Sequence, residues 1–222
     1  MSPRARAVLA DRAAKELAAA GRGEEAAEAY ERAADLWRAL GAVRCAVRAL
    51  RARAWVALDV WGPDTAEVIL EEALRVCERA HTAARSDAER AWSAREIGDS
   101  RVHLARLTLE SLPGPTAGAE DSPERYAAEL GCLARALDHT ERAVAALRQG
   151  GAPGRAGGLR AELLAVRLEW GLGRAEAAVE RVRRVRDDVT DLPDPDGSLA
   201  RVAAECEALL VAAAGVIPTW GL

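Results

Sequence analysis

The amino-acid sequence predicts an all-α protein, and three observations support this fold class. Half of its 222 residues are apolar, and the prevalence of alanine, leucine, arginine and glutamate favours helix. Clusters of glycine and proline divide the chain into about nine segments of helical length. One turn phrase occurs twice, as Gly-Arg-Gly-Glu-Glu-Ala from Gly21 and as Gly-Arg-Ala-Glu-Ala-Ala from Gly173. A small-residue turn between two helical stretches is typical of a repeated helical hairpin.

The glycine and proline residues that interrupt the helical pattern give the bounds of the expected helices. Gly21 separates the first two, and Gly41 ends the second because a glycine just past a helix favours its C-terminal turn. The expected helices cover residues 4–20, 24–40, 42–60, 64–83, 86–112, 122–149, 159–171, 174–190 and 198–214. They make four hairpins and one final helix, which predicts a right-handed α-solenoid with a C-terminal capping helix.

Side chains that can accept hydrogen bonds from free backbone N–H groups mark three helix starts. Asp64 with Glu67, and Ser86 with Glu89, have the spacing of a capping box. Ser122 precedes a proline, which is favoured in the first helical turn. These signals fix the starts of the fourth, fifth and sixth helices.

Two stretches rich in glycine and proline, 113–121 and 150–158, are predicted as loops, and the second reads as a flexible linker. Both lie inside one helical-repeat domain that we assign to residues 1–214. Residues 215–222 remain as an apolar C-terminal tail.

Apolar residues recur at helical spacing within the segments. The stripe of the second helix is Ala26, Tyr30, Ala33 and Trp37, and that of the eighth is Val179, Val182, Val185 and Val189. Each stripe needs a neighbouring helix to cover it. Alanines let two helix axes approach closely, while an aromatic ring one turn away fills the space beside them.

These positions resemble the tetratricopeptide repeat, whose motif places glycine, alanine, an aromatic residue and alanine at the same relative positions. The copies are Gly21, Ala26, Tyr30 and Ala33, then Gly173, Ala178, Val182 and Val185, and a degenerate third, Ala66, Leu70 and Ala73. The first half of the motif departs from the family, with Ala10, Ala13 and Ala14 at its tryptophan, leucine and glycine places. The resemblance implies a divergent tetratricopeptide-like solenoid, similar to the helical-repeat regions of actinobacterial regulators and signalling ATPases.

Composition excludes several classes of protein. The formal net charge is only -4 and Lys15 is the single lysine, so we do not expect a nucleic-acid-binding surface. No apolar run is long enough for a signal peptide or a bilayer span, which predicts a cytoplasmic protein. The cysteines are far apart in apolar helical patterns and are expected as buried, reduced thiols, with disulfides or metal binding as the alternatives. They are Cys45, Cys77, Cys132 and Cys206.

The sequence contains no recognisable catalytic constellation. The histidines His81, His103 and His139 lie in different helices without the spacing of a metal site. The glycine-rich stretch 150–158 follows no strand and lacks the lysine of a phosphate-binding loop. We therefore expect neither an enzyme nor a bound cofactor or metal.

The first helix of each hairpin lines the concave groove in tetratricopeptide arrays, and this register selects a set of arginine, histidine and tryptophan residues. The expected groove residues are Arg48, Arg51, Trp55, Arg95, His103, Arg106, Arg160, Arg167 and Trp170. Guanidinium groups pair with carboxylates through two hydrogen bonds, and indoles cover apolar groups. The groove is therefore predicted to bind a carboxylate-bearing peptide. The alternative is a scatter of separate, solvated arginines.

The tail carries the apolar residues Ile217, Trp220 and Leu222. They either cap the last helix or dock on a partner, which includes the groove of a second copy and hence a homodimer. A third alternative is that the tail is the substrate of a modifying enzyme.

The sequence thus favours a scaffold that binds a protein or peptide. The alternative is a small-molecule-sensing regulatory module that works with a separate regulator or ATPase. A deep pocket lined by Trp55, Trp92 and Trp170 would favour the sensor, and an open groove floored by arginine would favour the scaffold.

Overall fold

The computed structural model describes residues 1–112, 122–190, 192 and 197–213. Nine α-helices occur within these residues. They are α1 (Pro3–Ala19), α2 (Gly23–Ala39), α3 (Val43–Trp61), α4 (Pro63–Thr82), α5 (Asp87–Glu110), α6 (Pro123–Gln149), α7 (Ala152–Gly171), α8 (Ala175–Thr190) and α9 (Ser198–Ala213).

Each helix packs against the next one along the chain. Alternate helices also touch, since α3 contacts α5, α5 contacts α7, and α7 contacts α9. Four helical hairpins are therefore stacked side by side and followed by a ninth helix, with α3, α5, α7 and α9 in one layer. The predicted all-α, solenoid-like fold is confirmed, while the handedness of its winding stays a prediction.

One turn geometry joins three pairs of helices. Gly21, Gly41 and Gly173 have φ angles of 72°, 66° and 72°, in the left-handed region that glycine enters without steric cost. At each turn the amide of the following residue donates to the carbonyl five residues back, over 3.0, 2.9 and 2.8 Å. This pair of features is the glycine-terminated helix end known as the Schellman motif. The repeated sequence phrase is therefore a repeated turn.

The predicted apolar stripes face neighbouring helices. Ala26 and Ala33 are fully buried and Tyr30 is nearly so, while Val182 and Val185 are buried in α8. One apolar cluster extends from α1 to α5, and another joins α7, α8 and α9. The helices that pair in sequence thus also share cores.

The stretch 150–158 is not the flexible linker that the sequence suggested. Helix α7 begins at Ala152, only three residues after Gln149. Its glycines let α7 lie against the end of α6, because a Cβ atom at Gly154 would stand 2.3 Å from the carbonyl oxygen of Leu147. Close packing explains these glycines, and the fourth hairpin therefore starts at 152 instead of 159.

Two of the three expected caps are present. Ser86 and Glu89 form the capping box at the start of α5, and the hydroxyl of Ser122 caps α6. The box expected at Asp64 is wrong, because α4 already begins at Pro63 and its start has no side-chain cap.

All four cysteines are free thiols, but they differ in burial. Cys77 and Cys206 are buried as expected, whereas Cys45 and Cys132 are only half-buried. Burial raises the pKa of the Cys77 and Cys206 thiols to about 11, so both are protonated and unreactive at neutral pH.

The predicted loop 113–121 and the tail with Ile217, Trp220 and Leu222 lie outside the described residues. Within the described ranges, no helix has the length and apolar character needed to cross a membrane.

Candidate functional site

A cavity of about 690 Å³ opens on the layer of odd-numbered helices. One face each of α3, α5 and α7 lines most of it, because the lining residues recur at steps of three and four. From α3 these residues are Arg48, Arg51, Ala52 and Trp55, and from α5 they are Asp99, Val102, His103 and Arg106. Helix α7 adds Gly157, Arg160, Ala161, Leu163, Leu164 and Arg167.

Seven of the nine residues selected from the sequence line this cavity. They are Arg48, Arg51, Trp55, His103, Arg106, Arg160 and Arg167. Arg95 and Trp170 do not. The stem of Arg95 packs over Gly150, where a Cβ atom would lie 2.2 Å from its Cγ. Trp170 is part of the apolar cluster around α7, α8 and α9.

The two residues that miss the cavity lie beyond its ends. Arg95 precedes Asp99 by four residues, about 6 Å nearer the start of α5, where it packs on Gly150. Trp170 follows Arg167 by three residues, about 4.5 Å nearer the end of α7. Helical periodicity predicts which face of a helix lines a cavity, but not how far along the helix the cavity extends.

Arg51 forms the floor of the cavity. Its side chain is 10% exposed, and its Nη2 donates to a carboxylate oxygen of Glu96 in α5. The other Glu96 oxygen lies 3.3 Å from Nε of Arg44. Nη1 of Arg51 is buried and has no hydrogen-bond partner among the described residues. Oδ2 of Asp99 lies 3.8 Å from it, beyond hydrogen-bond distance.

The remaining arginines give the cavity its charge. Arg48, Arg106 and Arg160 are exposed and make no ion pair or hydrogen bond within the described part of the chain. Arg167 differs, since its Nη2 donates to Glu205 of α9 over 2.7 Å. Five guanidinium groups thus face two carboxylates among the lining residues, and the cavity attracts anions.

Trp55 and His103 form a polar contact on the cavity wall. Nε1 of Trp55 donates to Nδ1 of His103 over 2.9 Å, and the rings meet edge to face with centroids 5.8 Å apart. Burial, assisted by the charges of Arg51 and Arg106, lowers the pKa of His103 to about 4. The imidazole is therefore neutral at pH 7 and carries its proton on Nε2.

Asp99 is one of the two acidic residues that line the cavity, and its side chain is 52% exposed. Partial burial raises the pKa of its carboxyl. Arg51 acts in the opposite direction, Glu96 reinforces the rise, and Arg160 and Arg95 again oppose it. Its carboxylate is thus surrounded by positive charge without being hydrogen-bonded to any of it within the described residues.

Glu96 and Asp99 were not predicted from the sequence. Both belong to the stripe of α5 that contains His103 and Arg106, since these four residues follow one another at steps of three, four and three. Extending the stripe backwards from His103 by four residues, and then by three, would have found them. Arg95 was assigned to the groove instead because it is basic.

A second cavity of about 620 Å³ lies where the turn between α2 and α3 meets the end of α4 and the start of α5. Trp92 lines it, and Nε1 of this indole is buried without a hydrogen-bond partner in the described residues. The three tryptophans named for a sensor therefore do not share a pocket. Trp55 lines the first cavity, Trp92 lines the second, and Trp170 lines neither.

Within the described ranges, no group of three or more histidine, cysteine, aspartate or glutamate residues could hold a metal ion. No protein-family model matches the chain, and no curated protein matches it in sequence.

Proposed function

We propose that this chain is a tetratricopeptide-like scaffold that binds a carboxylate-bearing peptide in the groove formed by α3, α5 and α7. The unused hydrogen-bonding capacity of the groove arginines carries this proposal. Arg48, Arg106 and Arg160 have no partner in the described residues, and Nη1 of buried Arg51 lacks one as well. A guanidinium fork matches the geometry of a carboxylate, which supports an acidic ligand.

The groove also offers an apolar wall beside its charges. Trp55 of α3, Val102 of α5 and Leu164 of α7 contribute partly exposed side chains to it. Side chains of an extended peptide alternate between two sides. A segment with alternating acidic and apolar residues could therefore place carboxylates on the arginines and apolar groups on this wall, where binding free energy tends to concentrate.

The spread of the charges favours a peptide over a small anion. Arg160 and Arg167 lie two turns apart on α7, a separation of about 10 Å along the helix axis. Further guanidinium groups stand on α3 and α5, so one small anion could not contact all of them. Nucleic acid fits less well, because Asp99 and Glu205 lie in the groove and the chain is acidic overall.

Charge reversal at Arg106 of α5 and Arg160 of α7 tests the proposal, because both line the groove and have no partner in the described residues. The probe is a fluorescein-labelled hexapeptide of alternating glutamate and leucine, and fluorescence anisotropy measures its affinity. We expect the double variant Arg106→Glu with Arg160→Glu to bind it at least about tenfold more weakly, because attraction becomes repulsion. Both side chains are exposed and unpaired in the described structure, so helicity measured by circular dichroism should not change.

A matched control exists on α8. Arg183 and Arg184 are exposed and without ion pairs in the described residues, and reversing both changes the net charge equally but outside the groove. This control should bind nearly as well as the unaltered chain, and a peptide with glutamine in place of glutamate should bind weakly to all. Equal losses in the two double variants, or no binding by the unaltered chain, would contradict the proposal.

A further inference from the structure

The structure assigns Asp99 a regulatory place within the same groove: we propose that its carboxylate stands where a ligand carboxylate binds Nη1 of Arg51, so that ligand and Asp99 compete for one guanidinium group. This inference rests on the proposed function. It names the position at which the ligand acid is bound and the residue that sets the threshold for binding.

Arg51 is a fixed donor. Its side chain is 90% buried, and Glu96 holds its Nη2. Glu96 in turn lies between Arg51 and Arg44, with its second oxygen 3.3 Å from Nε of Arg44. Because the guanidinium plane is rigid, fixing Nη2 also fixes the direction of Nη1. That atom belongs to a residue that lines the cavity, and it is left without a hydrogen-bond partner in the described residues.

Asp99 approaches Nη1 of Arg51 but does not form a hydrogen bond with it. Its Oδ2 stands 3.8 Å from Nη1, which leaves the electrostatic attraction but no hydrogen bond. Asp99 lies on the same face of α5 as Glu96, one turn further on, so two like charges approach the same guanidinium. A buried N–H group without an acceptor costs free energy. An acceptor that reaches Nη1 therefore gains a favourable hydrogen bond.

Nη1 is buried, so a ligand carboxylate reaches it only when Asp99 moves aside. Because the ligand is not tied to α5, it can then approach Nη1 to the usual distance of about 2.8 Å. The displaced Asp99 would keep positive neighbours, because Arg160 and Arg95 both act on its carboxyl. Its side chain is half-exposed and free to move towards the opening. The ion pair between Arg51 and Asp99, which has no hydrogen bond, is thus replaced by a hydrogen-bonded ion pair between Arg51 and the ligand.

Two substitutions at this position should act in opposite directions. Asp99→Asn removes the competing charge, and we expect the alternating glutamate and leucine peptide to bind about three- to tenfold more tightly. Asp99→Glu keeps the charge and adds one methylene, so its carboxylate can close the gap of 3.8 Å to Nη1. We expect this variant to bind the peptide more weakly than the unaltered chain does.

Fluorescence anisotropy with the same peptide measures both variants in the full chain. Asp188→Asn serves as the control for net charge, since Asp188 is an exposed acid of α8 without an ion pair in the described residues. Its affinity should change by less than about twofold at 0.15 M salt.

The outcomes separate the two proposals. If reversal of Arg106 and Arg160 abolishes binding but Asp99→Asn binds no better than Asp188→Asn, the role of Asp99 is refuted and the groove remains. Unchanged or tighter binding by Asp99→Glu would also overturn it. If the unaltered chain and Asp99→Asn both fail to bind the peptide, the proposed function falls and this inference falls with it.

Discussion

Arg51 illustrates at the residue scale why a correct position does not give the role of a side chain. The repeat register placed it in the groove, where it lies, but its charge is largely engaged by Glu96 of α5. Replacing Arg51 with glutamate would set two carboxylates against each other in a buried position. We expect a large loss of stability, which could imitate a loss of binding, so the exposed residues Arg106 and Arg160 make the better test of the groove.

The buried ion pair gives a prediction for stability. Glu96→Ala should lower the free energy of unfolding by about 3 kcal/mol, because it leaves the Arg51 guanidinium buried without its main partner. Urea denaturation followed by circular dichroism measures the change. Glu28→Ala is the control, since it breaks an exposed pair with Arg32 and should have little effect.

The reason for this expectation can itself be tested. The double variant Arg51→Met with Glu96→Leu removes both charges and should recover most of the lost stability, as apolar groups can replace a buried ion pair. Equal stability of Glu96→Ala and Glu28→Ala would show that the pair is more hydrated than its exposed fractions indicate.

At the scale of elements, sequence patterns predicted the features that depend on residues close together in the chain. The turns at Gly21 and Gly173 follow from backbone freedom at single residues, and the box at Ser86 follows from hydrogen bonds within one turn. The start of α7 could not be predicted in this way, because the glycines of 150–158 allow α7 to pack closely against α6. A glycine-rich sequence has the same appearance whether it provides flexibility or close packing.

Two alanine substitutions distinguish these explanations. Gly131→Ala in α6 should raise the free energy of unfolding by about 0.5–1 kcal/mol, because its Cβ would meet open space and alanine favours helix. Gly154→Ala in α7 should lower it by more than about 1 kcal/mol, because the new Cβ would collide with the backbone oxygen of Leu147. Denaturant midpoints compare the two variants, and a Gly154→Ala variant as stable as the unaltered chain would contradict close packing at 150–158.

At the scale of the whole molecule, the fold was predictable and the groove was largely so. Helical periodicity and repeated turns depend on near neighbours, and they led to the array of hairpins. The register of the odd-numbered helices was enough to bring seven of the nine selected residues to one cavity, whereas Arg95 and Trp170 lie beyond its ends. Contacts between segments far apart in the chain could not be predicted from the sequence. An example is the ion pair between Arg51 and Glu96, which are separated by 45 residues.

A cluster of buried charge ties the last part of the array together. Arg181 of α8 donates to Glu162 and Glu169 of α7, and its Nη2 lies 3.1 Å from Glu141 of α6. Glu162 and Glu169 are both nearly buried. Burial alone would lower the pKa of Arg181, but the hydrogen bonds to Glu169 and Glu162 outweigh it and raise the pKa. The guanidinium therefore stays charged and links three helices.

Because each helix contacts mainly its neighbours, loss of this link should be felt locally. Arg181→Met would leave Glu169 buried without its cation, and we expect amide hydrogen exchange in α8 and α9 to become about tenfold faster or more. Exchange in α1 to α4 should not change, since their core belongs to a separate apolar cluster. Mass spectrometry of peptides after exchange measures both regions, with Arg184→Met as the exposed control on the same helix. Faster exchange throughout the chain would show instead that the array opens as one cooperative unit, in which case the groove would be lost together with its C-terminal support.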